Sequence, residues 1–215
     1  MARTALLAGA SGLIGRHCLN QLLSNPNYSE VTSIGRRLPD HEEGKLRPLV
    51  SDFSDLDQHA AELAVDDVYI ALGTTLRKAG SRAAFERVDY HMVVDLARAA
   101  RQAGAKRLMV VSAAGTASNS PSFYSRVKAR MEQAVAELDF EAIHILRPSL
   151  LLGARQESRP AEKLGQIFAP LLSPLLLGPL AIYKPVRAEV VAAAMIQLAF
   201  SEATGKQVHH LPLKD

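Results

Sequence analysis

Gly9-Ala10-Ser11-Gly12-Leu13-Ile14-Gly15 stands between an apolar run, Thr4 to Ala8, and a stretch from Leu13 to Ser24 whose apolar residues Ile14, Leu19, Leu22 and Leu23 recur at helical spacing. A strand, a glycine turn and a helix in that order meet a specific physical demand. One glycine makes the tight turn, one lets the backbone approach a pyrophosphate, and one allows the helix to pack closely on the sheet, with the helix N-terminus facing the anion. The turn reads as a nucleotide-binding loop, with Gly9, Ser11, Gly12, Leu13, Ile14 and Gly15 as candidate cofactor contacts. A purely structural glycine turn is the plainer alternative.

The same alternation continues outward from this turn. Asn25-Pro26-Asn27 ends the first helix, and Val31–Ile34, Leu46–Val50 and Val68–Leu72 read as further strands, with a short helix or turn over Asp55–Leu63. A long helical pattern covers Arg82–Gln102 up to Gly104. After it come a strand at Arg107–Ser112, a helix at about Phe123–Leu138 and a sixth strand at Ala142–Leu146. The tail holds a helix over Arg187–Phe200 and a candidate last strand at Lys206–Leu211. Six apolar strands separated by helices argue an α/β fold, a doubly wound parallel sheet of the NAD(P)-binding Rossmann kind. The expected organisation is a single domain over residues 1–215, with 153–186 as a small C-terminal cap or substrate region.

Cofactor choice falls to the second strand. An NAD site places Asp or Glu near its end to hold the ribose hydroxyls. Here the strand runs into Ser33-Ile34-Gly35-Arg36-Arg37. Two guanidiniums suit a dianionic 2′-phosphate through paired hydrogen bonds, so NADP(H) is expected over NAD, with Arg36 and Arg37 as its contacts. A solvated loop face is the alternative for the two arginines. Asp52, just past the third strand, is a candidate for the adenine amino group or an ordinary turn aspartate.

Chemistry enters with Tyr124-Ser125-Arg126-Val127-Lys128, which puts a phenol and an ammonium one turn apart on one helix face. A phenol that gives its proton to a carbonyl needs a pKa below its usual value of about 10, and a neighbouring cation stabilises the phenolate. Ser112, at the carboxyl end of the fifth strand where ligands of such sheets bind, is the candidate to orient the carbonyl, or else a turn cap.

Composition sets the limits around these motifs. The chain has 215 residues, 48% apolar and 22% charged, enough for one continuous core, and a formal charge of +3. Its single cysteine, Cys18, closes no intrachain disulfide and reads as a core residue between Ile14 and Leu22. With no signal-peptide pattern at the start, a cytoplasmic setting is expected. Residues 167–183 are nearly all apolar or small, but Pro170, Pro174 and Pro179 interrupt them, so no membrane span is expected there. His17, His41, His59, His91 and His144 are scattered, and His209-His210 have no Asp, Glu or Cys nearby at ligand spacing, which argues against a metal site. Arg98, Arg101, Lys106 and Arg107 read as a solvated face, and 5% aromatic content leaves little for nucleic-acid stacking.

The sequence resembles the short-chain dehydrogenase/reductases in their atypical branch, through GASGLIG at Gly9, GRR at Gly35, LGTT at Leu72, Ser112, YSRVK at Tyr124 and RPSLLLG at Arg147. Within that branch it is most similar to the Tat-interacting-protein group of small NADPH-binding proteins, through LGTT followed by Lys78-Ala79-Gly80 and through RPSLLLGARQESRP from Arg147 to Pro160. The resemblance implies cofactor contacts at Leu72, Gly73, Thr74, Leu151 and Arg159, with Lys128 also holding the nicotinamide ribose. It implies a Tyr124, Lys128 and Ser112 triad as well, although an extended-type alignment would put Ala114 in the serine's place. The expected function is NADP(H)-dependent hydride transfer to or from a carbonyl or alcohol substrate. The other reading is an NADPH-sensing module that binds a protein partner with little turnover, and the oligomeric state is open.

Overall fold

The computed structural model describes residues 2–37, 44–152 and 185–211. Seven parallel strands form one sheet in the order β3-β2-β1-β4-β5-β6-β9. They are β1 (Arg3–Ala8), β2 (Tyr28–Gly35), β3 (Leu46–Val50), β4 (Asp67–Ile70), β5 (Arg107–Val111), β6 (Ala142–Pro148) and β9 (Gly205–Leu211). A second, two-stranded sheet pairs β7 (Leu151–Leu152) with β8 (Val186–Arg187). The chain therefore builds outward from β1 in both directions, and the strand order reverses beside the glycine turn, where doubly wound sheets bind their ligands.

Helices cover both faces of the sheet. On one face lie α1 (Leu13–Ser24) and α6 (Ala188–Ala199), packed on Ala5 and Leu7 of β1 and on Leu146 of β6. On the other lie α4 (Met92–Gln102) and α5 (Phe123–Ala136), packed on Leu6 and Ala8 and on Ile143 and Ile145. Neighbouring residues of one strand thus go to opposite cores, the period of two that a strand imposes. Cys18 is fully buried in the first core with Ile14 and Leu22, as its helical spacing indicates.

Several expected elements match closely, and the differences have local causes. β3 covers the expected residues although it contains Pro48, which lacks an N–H; an edge strand needs only one side paired. β2 begins earlier than expected because Tyr28 turns into the core and hydrogen-bonds Asp67. β9 is the candidate last strand of the tail, starting one residue earlier at Gly205, and it pairs with β6 in register from Ala142↔Gly205 to Pro148↔Leu211 as the seventh strand. The long pattern over Arg82–Gln102 is not one uniform helix. It runs as α3 (Arg82–Glu86), a π turn over Arg87–His91 and then α4, and it is preceded by a single extra turn, α2 (Leu76–Ala79). The 55–63 segment contracts to a 3-10 turn at Leu56–His59.

The basic face is only partly solvated. Arg98 pairs with Asp95 at the surface, whereas Arg107 turns toward fully buried Asp67 at 3.5 Å. Among the described residues, no helix is long and apolar enough to cross a membrane.

Candidate cofactor and active site

The glycine turn is closed so tightly that side chains cannot enter it. Gly9 sits at φ +94°, and a Cβ there would lie 2.6 Å from the Ala71 carbonyl oxygen. At Gly15 a Cβ would lie 2.0 Å from the Gly9 carbonyl oxygen, and at Gly12 3.1 Å from it. The Gly12 N–H donates to Gly9 O at 2.8 Å, which fixes the turn. Gly12 also caps α1 without a side-chain hydrogen bond, and no acidic residue occupies the first turn. The helix therefore presents bare backbone N–H groups across a cradle that a Cβ would fill, a fit for a dinucleotide pyrophosphate. Ser11 is exposed beside it, and Leu13 is half-buried. Ile14 is buried in the core, so any cofactor contact at Ile14 falls to its backbone.

At the carboxyl end of β2, Arg36 and Arg37 are both exposed. Among the described residues no carboxylate pairs with either. Asp52 makes an Asx-type turn, accepting from the Ser54 N–H at 2.9 Å and from the Ser54 hydroxyl. These hydrogen bonds hold its carboxyl below the ordinary range. The residue after it, Phe53, takes φ +70°, an uncommon backbone state for a bulky side chain. Asp52 and Phe53 line a cavity of about 270 Å³ with Arg87, His91, Met92 and Asp95. Asp52 is therefore a turn residue that also faces open space.

The third part lies past the ends of β4 and β5. Leu72, Gly73 and Thr74 leave β4, and the Thr74 N–H donates to Asp89 Oδ2 at 2.8 Å. Asp89 comes from the π turn and is 1% exposed. Its Oδ1 meets Lys128 Nζ at 2.9 Å in an ion pair, outside the angles of an aligned hydrogen bond. Burial pulls the Lys128 ammonium toward its neutral form, but Asp89, followed by Tyr124, outweighs it and raises the lysine pKa. Tyr124 is 36% exposed, one turn before Lys128, with its ring 5.6 Å from that of Phe85. The phenol thus stands at the surface above a buried cation.

Ser112 is buried directly after β5. Its N–H donates to Leu146 O at 2.7 Å, and its hydroxyl is 3.4 Å from that of Thr116. Ala114, the alternative position, donates its N–H to Pro148 O at 2.9 Å. Ser125 holds this loop onto α5, giving its hydroxyl proton to Gly115 O at 2.7 Å and accepting from the Ala117 N–H at 3.0 Å. Arg147 of the RPSLLLG stretch is clamped by Glu132 of α5 at 2.9 and 2.5 Å. Leu151 is half-buried in β7 and packs against the α1 side of the core. Arg159 and the apolar 167–183 segment lie outside the described residues, as does most of the expected 153–186 cap.

Sequence reasoning singled out neither Asp89, Thr116 nor Ser125. Asp89 left a trace that could have been read, a carboxylate on the same helical stripe as buried Phe85 and Val93. The two serine and threonine hydroxyls left none.

A seven-stranded parallel sheet with this cradle at its switch point defines a Rossmann-type nucleotide-binding protein. A family model described as NAD(P)H-binding matches residues 9–152, and the chain belongs to that family. It is 38% identical over 181 residues to "Protein fmp52, mitochondrial" of Emericella nidulans, covering 80% of this chain and 76% of the relative. It is also 38% identical over 170 residues to "Protein HTATIP2" of Rattus norvegicus, covering 77% of this chain and 70% of the relative. These relatives agree with the resemblance to the atypical dehydrogenase/reductase branch and its Tat-interacting-protein group. Among solved structures, MoeE5 in complex with UDP-glucose and NAD superposes with a TM-score of 0.71 at 19% identity, over 96% of this chain and 75% of that one, which is a likeness of fold. The expected cytoplasmic setting is corrected by the fungal relative, which is named as mitochondrial.

Proposed function

We propose that the protein is an NADP(H)-dependent oxidoreductase of the short-chain dehydrogenase/reductase type, acting on a carbonyl or alcohol. The observation that carries this reading is the exposed Tyr124 phenol one turn from buried, charged Lys128, on the sheet end that also holds the glycine cradle. When bound, the nicotinamide supplies or accepts the hydride at the substrate carbon. Tyr124 Oη gives its proton to the carbonyl oxygen in reduction and takes it back in oxidation. The Lys128 ammonium stabilises the phenolate left behind, and the Ser112 hydroxyl orients the carbonyl oxygen.

The remaining cofactor contacts follow from the same placement. Gly9, Ser11, Gly12, Leu13, Ile14 and Gly15 cradle the pyrophosphate, Asp52 takes the adenine amino group, and Leu72, Gly73, Thr74 and Leu151 line the path toward the nicotinamide. Arg36 and Arg37, exposed and paired with no carboxylate among the described residues, favour the 2′-phosphate of NADP(H). The fungal relative's name makes a mitochondrial setting the one to test, by fractionation of the native host.

A Tyr124→Phe variant separates mechanism from binding. It is expected to bind NADPH within about twofold of wild type and to lose at least about a hundredfold in turnover over an aldehyde, ketone and quinone panel, the range one acid/base group supplies. Equal turnover in both proteins removes the mechanism. NADPH binding with no oxidation by wild type on any of these substrates favours the NADPH-sensing module instead.

A further inference from the structure

Lys128 has two unusual features for a group asked to lend charge to a phenol. Its ammonium is almost completely shut off from water, at 3% exposure, and its ion-pair partner is itself 1% exposed. A buried ammonium without a paired anion reverts toward its neutral form or destabilises the fold. The groups facing it are few. From its own helix come Tyr124 and Glu132, and from the π turn comes Asp89. Glu132 is already engaged, with both carboxylate oxygens on Arg147. On the neighbouring turn, Glu86 is likewise held by Arg130, whose guanidinium lies over Tyr90. That leaves Asp89 as the carboxylate that can balance Lys128 among the described residues.

The aspartate is placed by three elements at once. The π turn over Arg87–His91 carries it out of the α-helical register, Oδ2 accepts the Thr74 N–H from the loop after β4, and Oδ1 faces the lysine. We infer that Asp89 is a positioning residue: it keeps Lys128 charged in a dry site and ties that charge to the Leu72–Thr74 loop, so the cation reaches Tyr124 at full strength. This rests on Tyr124 and Lys128 acting together as proposed above. It assigns Asp89 no contact with substrate or cofactor.

A different outcome follows if Asp89 is merely a nearby negative charge, because such a charge opposes phenolate formation. The sign of the effect on Tyr124 therefore decides the question. The measurement is the ultraviolet phenolate titration of the full-length protein without cofactor, taken as the difference between each variant and the same variant carrying Tyr124→Phe. In Asp89→Asn the ionisation constant of Tyr124 is expected to fall about tenfold, one pH unit, as Lys128 loses its proton earlier. Lys128→Met is expected to give a shift in the same direction, and the double variant no more than the larger single shift. An unchanged or strengthened Tyr124 acidity in Asp89→Asn overturns the inference. If Asp89→Asn does not fold, Asp89→Glu answers instead: it keeps the charge, so a constant within about twofold of wild type supports the role and a tenfold change refutes it. Turnover is not read in any of these titrations. Asp89 coupling in a protein with no reductase activity would remove only the catalytic reading, and reductase activity without the coupling would remove only this one.

Discussion

Asp67 and Asp89 are both buried carboxylates, set at opposite ends of the same sheet and held in opposite ways. Asp67 opens β4 at the amino end, fully buried, and accepts from the Tyr28 hydroxyl at 2.6 Å with Arg3 at 3.3 Å and Arg107 at 3.5 Å. Tyr28 in turn lies 2.6 Å from the Tyr69 hydroxyl, and Arg3 also donates to Ala199 O at 2.7 Å and covers the Phe200 ring. Asp89, past the carboxyl end of β4, has one backbone N–H and one lysine. Redundant partners make the first end a fastening between chain-distant segments. Sparse partners tie the second to one loop and one cation. Even with its partners, burial holds the Asp67 carboxyl above the ordinary aspartate range.

The sharpest way to break this contrast is Asp67→Ala, which removes the anion shared by two guanidiniums and one hydrogen-bond partner of the Tyr28 hydroxyl. Urea unfolding should show a loss of about 3 kcal/mol, while the folded protein keeps its NADPH affinity within about twofold. A large loss of affinity would mean the two ends are not separate. The mirror experiment is Arg36→Ala. Parallel titrations should show NADPH weakened by about 10- to 100-fold, the worth of charge-assisted hydrogen bonds, with NADH and stability unchanged. Equal affinities of wild type for the two cofactors would overturn the choice of NADP(H).

The smallest effect concerns His144, which belongs to neither end. Its ring is buried on β6, 3.0 Å from His209 on β9, and burial, then His209 and Arg107, lower its pKa to about 4. A histidine whose folded pKa is depressed adds stability above its unfolded pKa of about 6.5, and that stability is lost as pH falls toward the folded value. Asp67 has the reverse slope, because its raised pKa adds stability at low pH that is lost as pH rises through the folded value. Between pH 7 and 5, wild type should therefore lose about 1 kcal/mol that His144→Leu does not lose, read from thermal midpoints at each pH. A wild-type profile as flat as the variant's would remove histidine as the source.

The parts legible from sequence are those whose cause is local. Glycines with no room for Cβ at Gly9 and Gly15 can be recognised because no other residue satisfies the turn, and β1, α1 and β3 follow from the apolar patterning of short local runs. Tyr124 and Lys128 are brought near each other by helical spacing alone. Asp89 keeps the helical spacing of Phe85 and Val93 in the sequence, but its partners Thr74 and Lys128 arrive from other segments of the chain, and that spacing alone does not announce them. The β7–β8 pair is two residues long on each side, too short to carry a pattern. Tyr28 lengthened β2 through a contact with Asp67 that no window around Tyr28 contains.

The packing of α6 on α1 bears on how the chain acquires this form during synthesis. Helix α1 leaves the ribosome well before the residues that share its core, Val191, Ala194 and Met195. Until then Cys18, Leu19 and Leu22 have lost one of their covers, and the nascent chain carries an apolar stripe of the kind that holdase chaperones bind. Completion of the nucleotide domain is thereby deferred until α6 and β9 have both emerged, to seal one face and one edge of the sheet.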